Sequence, residues 1–115
     1  MLPVSYTGFK MENNRMELEE QIVRMLKTVY DPEIPVDIYN LGLIYDVAID
    51  DAKNVVITMT LTAPACPAAD YIIEDVRMKI ESIPDIQSVD IQIVFEPEWH
   101  PGLMSEEAKL ELGFL

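Results

Sequence analysis

The residue whose type and position best suit chemistry is Cys66, the single cysteine of the chain. Proline is favoured at the first position of a helix, so Pro67 predicts that Cys66 lies at the mouth of a helix. The free N–H groups and the dipole at such an end favour negative charge, and therefore the thiolate form of a cysteine. A thiolate binds iron or zinc and attacks electrophiles. The alternative interpretation is a small buried cysteine with a structural role only.

A lone cysteine restricts the kind of metal site that the chain can form, because a tetrahedral zinc or a cubane cluster needs about four ligands. The only histidine, His100, lies between Trp99 and Pro101 in a predicted loop and is the other candidate ligand. The remaining ligands would come from a second subunit, a partner protein or a small thiol. We therefore expect no tightly bound cofactor, and any iron or cluster held at Cys66 should be shared and labile.

Two other features could carry chemistry or recognition. Asp31 and Glu33 flank a proline and could act as a carboxylate pair, although a turn or a helix-end contact is the alternative. Trp99 could pack inside its loop or anchor a partner protein, as exposed indoles often do. No phosphate-binding loop, dinucleotide fingerprint, metalloprotease helix or nucleophile elbow is present in the sequence.

Charge and composition exclude several classes of protein. The formal net charge of −13 would repel nucleic acid and anionic membranes, and it suits solubility or attraction to a basic patch on a partner. No apolar run approaches the roughly 20 residues of a membrane span. The first ten residues do not form a secretory signal, and one cysteine cannot form an internal disulfide. We therefore expect a cytoplasmic protein that binds neither nucleic acid nor membrane.

The first half of the chain predicts a helix and a hairpin. Asn14 can cap a helix that ends near Tyr30, because Pro32 restricts the residue before it. Apolar residues then alternate in two strands joined by a polar turn at 50–54, which predicts an antiparallel pair. The residues predicted to share one face are Leu43, Tyr45, Val47 and Ile49 in the first strand and Val55, Ile57, Met59 and Leu61 in the second.

The second half predicts a helix, a strand and a short last helix. Helical spacing after Pro67 places one apolar face at Ala69, Ile72, Ile73, Val76, Ile80 and Ile83. The third strand would turn inward Val89, Ile91, Ile93 and Phe95. Ser105 can cap the last helix. The side chains expected to dock that helix against the rest of the domain are Leu110, Leu112, Phe114 and Leu115.

These elements predict an α+β fold, a small two-layer domain of order α-β-β-α-β-α. Each strand has one apolar face, so the helices should lie mainly on one face of a mixed three-stranded sheet. Residues 1–13 show no periodicity and are interpreted as an irregular or disordered arm. Residues 14–115 are interpreted as a single domain.

Three motifs in order resemble those of a known family. They are DPEIPV at 31–36 with NLGLIYDV at 40–47, then TLTAPACP at 60–67, then WHP at 99–101 with MSEEAK at 104–109. The first two are similar to the signatures of the MIP18 family, formerly a domain of unknown function numbered 59. The third resembles the tail of its bacterial SufT-like branch. The resemblance runs from about Met16 to Leu115.

The resemblance implies a function and a site. It implies an accessory factor, not an enzyme, that takes part in iron–sulfur cluster assembly or in cluster delivery to client proteins. Its partners would be iron–sulfur scaffolds and clients, and a homodimer would suit a site with shared ligands. Cys66 matches the characteristic cysteine of the family, which would contact iron, a cluster or a partner transiently. Asp31 and Glu33 match an acidic loop near that cysteine.

Two alternatives remain open at this point. The chain could be an interaction module that bridges an assembly scaffold and its clients, with Cys66 structural. It could also be an accessory subunit of a phenylacetate-degradation-type oxygenase. Relatives of that kind carry a cysteine-rich tail that is missing from this sequence, and the chain also lacks the nucleotide-binding domain of fused ATPase relatives.

Overall fold

The computed structural model describes residues 16–32, 34–62 and 69–113. A first helix, α1, covers residues 16–26. The elements that follow are β1 (Ile44–Ile49), β2 (Asn54–Met59), α2 (Ala69–Glu81), β3 (Ser88–Ile93), a 3₁₀ helix (Pro101–Leu103) and α3 (Glu106–Glu111). This order confirms the predicted α-β-β-α-β-α succession. The predicted arm at 1–13 and the proposed cap at Asn14 lie outside the described residues.

The three strands form one mixed sheet in the order β1-β2-β3. β1 pairs antiparallel with β2, with Val47 opposite Ile57, and β2 pairs parallel with β3, with Ile57 opposite Ile91. Because β2 and β3 are parallel, their carboxyl ends meet at the same edge of the sheet. The segment that leaves β2 and the segment that leaves β3 therefore start side by side.

The core lies on one face of the sheet. β2 turns every second residue into it, and both long helices bring buried residues to the same cluster. The fully buried members include Ile57 and Met59 from β2, Ile22 and Leu26 from α1, and Ile72, Val76 and Ile80 from α2. Each such side chain stabilises the fold by about 1.5–3 kcal/mol. The predicted placement of the helices on one face is confirmed. No helix in the described ranges is long and apolar enough to cross a membrane.

The first strand departs from the predicted alternation at Tyr45. Ile44 pairs with Met59 and Asp46 with Thr58, so a bulge leaves one extra residue in β1. A bulge shifts the inward and outward order along the strand. Ile44 therefore packs against the core, and the predicted placement of Tyr45 on one face with Val47 and Ile49 is wrong.

The first helix ends at Leu26, earlier than the predicted end near Tyr30. The amides of Thr28 and Val29 donate to carbonyls three residues earlier, which tightens the last turn. The carbonyl of Val29 then accepts a hydrogen bond of 2.8 Å from the amide of Ile38. After the helix, the backbone of Val29 is therefore bonded to the loop at Ile38 and does not continue a helical turn.

Two side chains that were predicted to dock are exposed instead. Phe95 lies beyond the end of β3 at Ile93 and is 45% exposed, and Leu110 is 67% exposed. The last helix is held by Ala108 and by Met104 before it, both buried in the core. Leu112 is partly buried against the same core, as predicted. The predicted contacts of Phe114 and Leu115 lie outside the described residues.

Candidate functional site

The segment with the single cysteine leaves the sheet at the carboxyl end of β2. Cys66 itself lies outside the described residues, as does Glu33. The flanking residues that are described are Thr62, which follows β2, and Ala69, which begins α2. The cysteine segment therefore connects the carboxyl end of a central strand to the start of a helix, a connection at which ligands often bind in sheets of parallel strands.

A cleft of about 280 Å³ opens at this same edge of the sheet. Residues 60–62 form one side, directly after β2, and residues 95–99 form the other, shortly after β3. The residues that line it are Thr60, Leu61, Thr62, Phe95, Glu98 and Trp99, and we call this site the strand-end cleft. It combines two aromatic rings with one carboxylate and two hydroxyl-bearing side chains.

The segment after β3 is fixed to the loop before β1. The indole Nε1 of Trp99 donates a hydrogen bond of 2.7 Å to the carbonyl of Leu41. The amide of Ser105 donates one of 2.8 Å to the carbonyl of Asn40. On the strand itself, the hydroxyl of Tyr45 donates to the carbonyl of Pro97 at 2.7 Å. The first and third sequence motifs are therefore in direct contact, and together they hold one wall of the strand-end cleft.

Gly42 permits this contact. Its φ is +83°, a conformation that L side chains rarely adopt. A Cβ atom built at Gly42 would overlap the carbonyl oxygen of Leu103. The close approach of the two backbones therefore requires glycine at this position.

Two roles were predicted for Trp99, packing within the protein and contact with a partner. The side chain is partly buried against the core, and its only polar atom is bonded to Leu41. Trp99 also lines the strand-end cleft, as Phe95 does. The packing interpretation is thus confirmed by contacts, while a contact with a partner stays a prediction.

His100 is exposed and caps the short 3₁₀ helix. Its Nδ1 accepts a hydrogen bond of 3.1 Å from the amide of Gly102, and its carbonyl accepts one of 2.9 Å from the amide of Leu103. A metal would therefore have to use Nε2 of the ring. Among the described residues, no group of three His, Cys, Asp or Glu side chains converges to hold a metal ion.

Asp31 is buried and orders the loop after α1. One carboxylate oxygen accepts a hydrogen bond of 3.2 Å from the amide of Ile34, and its own amide donates to the carbonyl of Val36 at 3.4 Å. These bonds correspond to the turn alternative of the sequence analysis. An acid–base role shared with Glu33 stays untested because Glu33 lies outside the described residues.

Asp37 is a further buried carboxylate, which the sequence analysis missed. Its two oxygens accept hydrogen bonds from the amide of Asn40 at 3.0 Å and from the side-chain Nδ2 of Asn40 at 2.8 Å. This pair fixes the turn whose next residues contact the tail. The spacing of an aspartate three residues before an asparagine was the signal that could have identified it, since Asp side chains often accept from nearby backbone amides in turns.

The carboxyl group of Asp50, whose pKa is shifted, lies far from the cleft. In the β1–β2 turn, hydrogen bonds from the backbone and side-chain amides of Asn54 lower the pKa of Asp50. This turn precedes β2 and the strand-end cleft follows it, so a six-residue strand, about 20 Å long, separates the two. The turn therefore stabilises the hairpin and takes no part in the site.

Comparison with known proteins agrees with the motifs. The sequence model of a family described as "Iron-sulfur cluster assembly protein" matches residues 19–93. The chain is similar to a Fe-S protein maturation auxiliary factor of Porphyromonas gingivalis, with 63% identity over 91% of this chain and 100% of that protein. It is similar to SufT of Staphylococcus aureus, also named a Fe-S protein maturation auxiliary factor, with 44% identity over 74% and 97% of the two chains. A solved domain of unknown function, DUF59, from Bacillus anthracis shows 40% identity and a TM-score of 0.81, covering 87% of this chain and 95% of that one.

Proposed function

This chain belongs to the family of iron–sulfur cluster assembly proteins, and we propose from this premise that it is an accessory factor that helps assemble clusters or deliver them to client proteins. The observation that carries the proposal is the identity of 63% to a maturation auxiliary factor over the whole of that relative. The family match also confirms the resemblance predicted from the three motifs.

Cys66 is the residue through which we propose that the chain contacts iron, a cluster or a partner. It follows Thr62 by four residues, so the covalent chain keeps its Cα within about 14 Å of the Cα of Thr62. Thr62 lines the strand-end cleft. This connection supports a site in which the thiol and the cleft act at the same edge of the sheet.

The cluster is the cargo of this site, and the chain supplies only part of its ligands. One thiolate falls short of the four ligands that a cubane cluster needs, and Nε2 of His100 could add at most one more. The others would come from a partner protein, a small thiol or a second copy in a homodimer. A shared site of this kind suits transfer, because the cargo can leave when the partner leaves.

The acidic loop has a supporting part in this proposal. Asp31 is buried and its carboxylate holds the amide of Ile34, and Asp37 fixes the following turn through Asn40. We propose that Asp31 and Glu33 of this loop support the site at Cys66. The role is one of positioning and not of acid–base catalysis.

We propose that the chain has no catalytic turnover of its own. The relatives from Porphyromonas gingivalis and Staphylococcus aureus are named auxiliary factors, and an auxiliary role requires binding and release only. The partners would be iron–sulfur scaffold proteins and client proteins.

One observation favours a second candidate function, a module that bridges scaffold and client while Cys66 stays structural. The strand-end cleft carries the exposed ring of Phe95 and the carboxylate of Glu98, which can contact a protein without any thiol chemistry. The two functions differ in whether the sulfur atom of Cys66 is needed.

The test is rescue of a cluster-dependent dehydratase in cells that lack this gene, with the native chain and Cys66→Ser at matched protein level. Met78→Ser is the matched control, because it also replaces a sulfur side chain by a hydroxyl, at a position on α2 that is 64% exposed. We expect the native chain and Met78→Ser to restore activity and Cys66→Ser to fail. Equal rescue by all three would favour the bridging module, and no rescue by the native chain would refute the proposed function.

A further inference from the structure

The strand-end cleft has the composition of a binding site for a cationic side chain. We propose that it binds an arginine of a partner protein, with the guanidinium between the aromatic rings and the carboxylate. The inference rests on the proposed function only in taking the partner to be a protein of the maturation pathway. The chemistry of the cleft is argued from its own residues.

The aromatic side of the cleft suits a guanidinium group. Phe95 is 45% exposed although it is a large apolar side chain, and Trp99 lies beside it in the lining. The hydrogen bond from Trp99 to Leu41 uses the one polar atom of the indole and fixes the ring. Arginine stacks on aromatic faces, and it does so better than lysine because the guanidinium is planar and weakly hydrated.

Glu98 supplies the charge that complements an arginine. It lines the cleft, is exposed, and forms no ion pair with another described residue. A carboxylate can accept two parallel hydrogen bonds from a guanidinium, which adds direction to the attraction. Thr60 and Thr62 complete the lining on the β2 side of the cleft.

The surrounding sequence offers no competing cation. The two walls belong to the stretches 54–76 and 80–108, and neither contains a lysine or an arginine. The wall at 95–99 carries two acids, Glu96 and Glu98. The field at the cleft therefore attracts a basic partner and repels phosphates or nucleic acid.

The size of the cleft suits a single side chain. Its volume of about 280 Å³ is below the range of about 300–1,000 Å³ that is typical of small-molecule pockets. A partner anchored here would lie beside Thr62, four residues before Cys66. The arginine would thus hold the partner at the edge of the sheet from which the cysteine segment departs.

The experiment uses the full chain and the probe peptide acetyl-Gly-Arg-Gly-amide, observed by NMR. The chain has one tryptophan, so Trp99 gives a single indole N–H signal within the proposed site. We expect this signal to shift with the arginine peptide and saturate, and to shift much less with the same peptide containing citrulline, which has the shape of arginine without the charge. No shift, or equal shifts with both peptides, would overturn the proposal.

Three variants separate the cleft from the general negative charge of the chain. Glu98→Gln and Phe95→Leu should each weaken binding of the arginine peptide by about twofold to fivefold, the range of an exposed ion pair or cation–π contact. Glu81→Gln removes the same charge at the end of α2, shortly before β3 begins and therefore at the other end of the strands from the cleft, and should leave the affinity unchanged. An equal loss in Glu81→Gln would mean that net charge alone binds the peptide, and the cleft would be refuted.

The peptide-binding experiment and the rescue assay test the two proposals independently. Rescue of the dehydratase without peptide binding would refute the cleft and leave the proposed function in place. Peptide binding with the expected variant pattern, together with a native chain that fails to rescue, would support the cleft and refute the proposed function.

Discussion

The indole Nε1 of Trp99 donates a hydrogen bond of 2.7 Å to the carbonyl of Leu41, across 58 positions of sequence. This bond joins the tail after β3 to the loop before β1, and both segments carry motifs of the family. Trp99 also lines the strand-end cleft, so the bond determines where one wall of the cleft lies. Motifs that are distant in sequence are thus linked because they build one edge of the molecule.

Replacing Trp99 by phenylalanine should show how much this bond stabilises the fold. Trp99→Phe leaves the partly buried carbonyl of Leu41 without its donor and removes packing area, so we expect a loss of about 1–3 kcal/mol in the free energy of unfolding. Urea unfolding measures it. Tyr71→Phe is the control, since Tyr71 is 67% exposed. This variant should change the free energy of unfolding by less than about 0.5 kcal/mol. Equal stability of the two variants would show that the bond contributes nothing.

Gly42 and Gly113 form a matched pair for testing the close approach to Leu103. Both have positive φ, at +83° and +85°, but an added Cβ at Gly113 meets nothing within 4 Å. Gly113→Ala should therefore lower the free energy of unfolding only by the cost of placing an L side chain at positive φ, about 1–2 kcal/mol. Gly42→Ala should lose more, because the carbonyl of Leu103 would have to move. Urea unfolding of both variants gives the difference, and equal losses would contradict a steric requirement at Gly42.

Sequence periodicity predicted the elements of this fold because each strand and helix buries one regular face. The alternation at Val55, Ile57 and Met59 and the helical spacing at Ile72, Val76 and Ile80 are both confirmed. These patterns are local, and each agrees with the packing that the whole fold requires.

The errors arose where a distant contact decides the local structure. The bulge at Tyr45 interrupts the alternation of β1. The hydroxyl of Tyr45 donates a hydrogen bond to the carbonyl of Pro97. Phe95 continues the apolar alternation of β3 in sequence but lies in the cleft, because the strand ends at Ile93 and the next segment turns toward the tail contacts. The cleft could not be predicted from sequence because its two walls meet only through the parallel pairing of β2 and β3.

The turn between β1 and β2 predicts a specific dependence of stability on pH. Hydrogen bonds from the backbone and side-chain amides of Asn54 lower the pKa of Asp50 in the folded chain below its ordinary value of about 3.9. A lowered pKa means that the carboxylate stabilises the fold above pH of about 4, and that this contribution disappears as the pH falls through the folded pKa.

Asp50→Asn tests this dependence. The difference in unfolding free energy between the native chain and Asp50→Asn should be constant above pH of about 5 and should change below pH of about 4. NMR titration of the Asp50 carboxyl carbon provides the direct measurement. A carboxyl that titrates at its ordinary value would contradict the role of the Asn54 bonds. Asp85→Asn, at an exposed position outside this turn, is the control for general charge effects.

The reactivity of Cys66 discriminates between a chemical and a structural thiol. If the predicted position of Cys66 at the mouth of a helix is correct and its sulfur meets metal or partners, the native chain should react with iodoacetamide at pH 7 at least as fast as the urea-unfolded chain. The reason is that a thiolate is favoured at a helix N-terminus and must be accessible to act. Mass spectrometry follows the reaction directly, since the chain has one cysteine and gives one labelled product. A native chain that reacts more than about tenfold more slowly would indicate a buried thiol, since protection of this size corresponds to about 1.4 kcal/mol of opening free energy. That result would favour the bridging module, in which partner contacts come from the strand-end cleft and the cysteine only supports the fold.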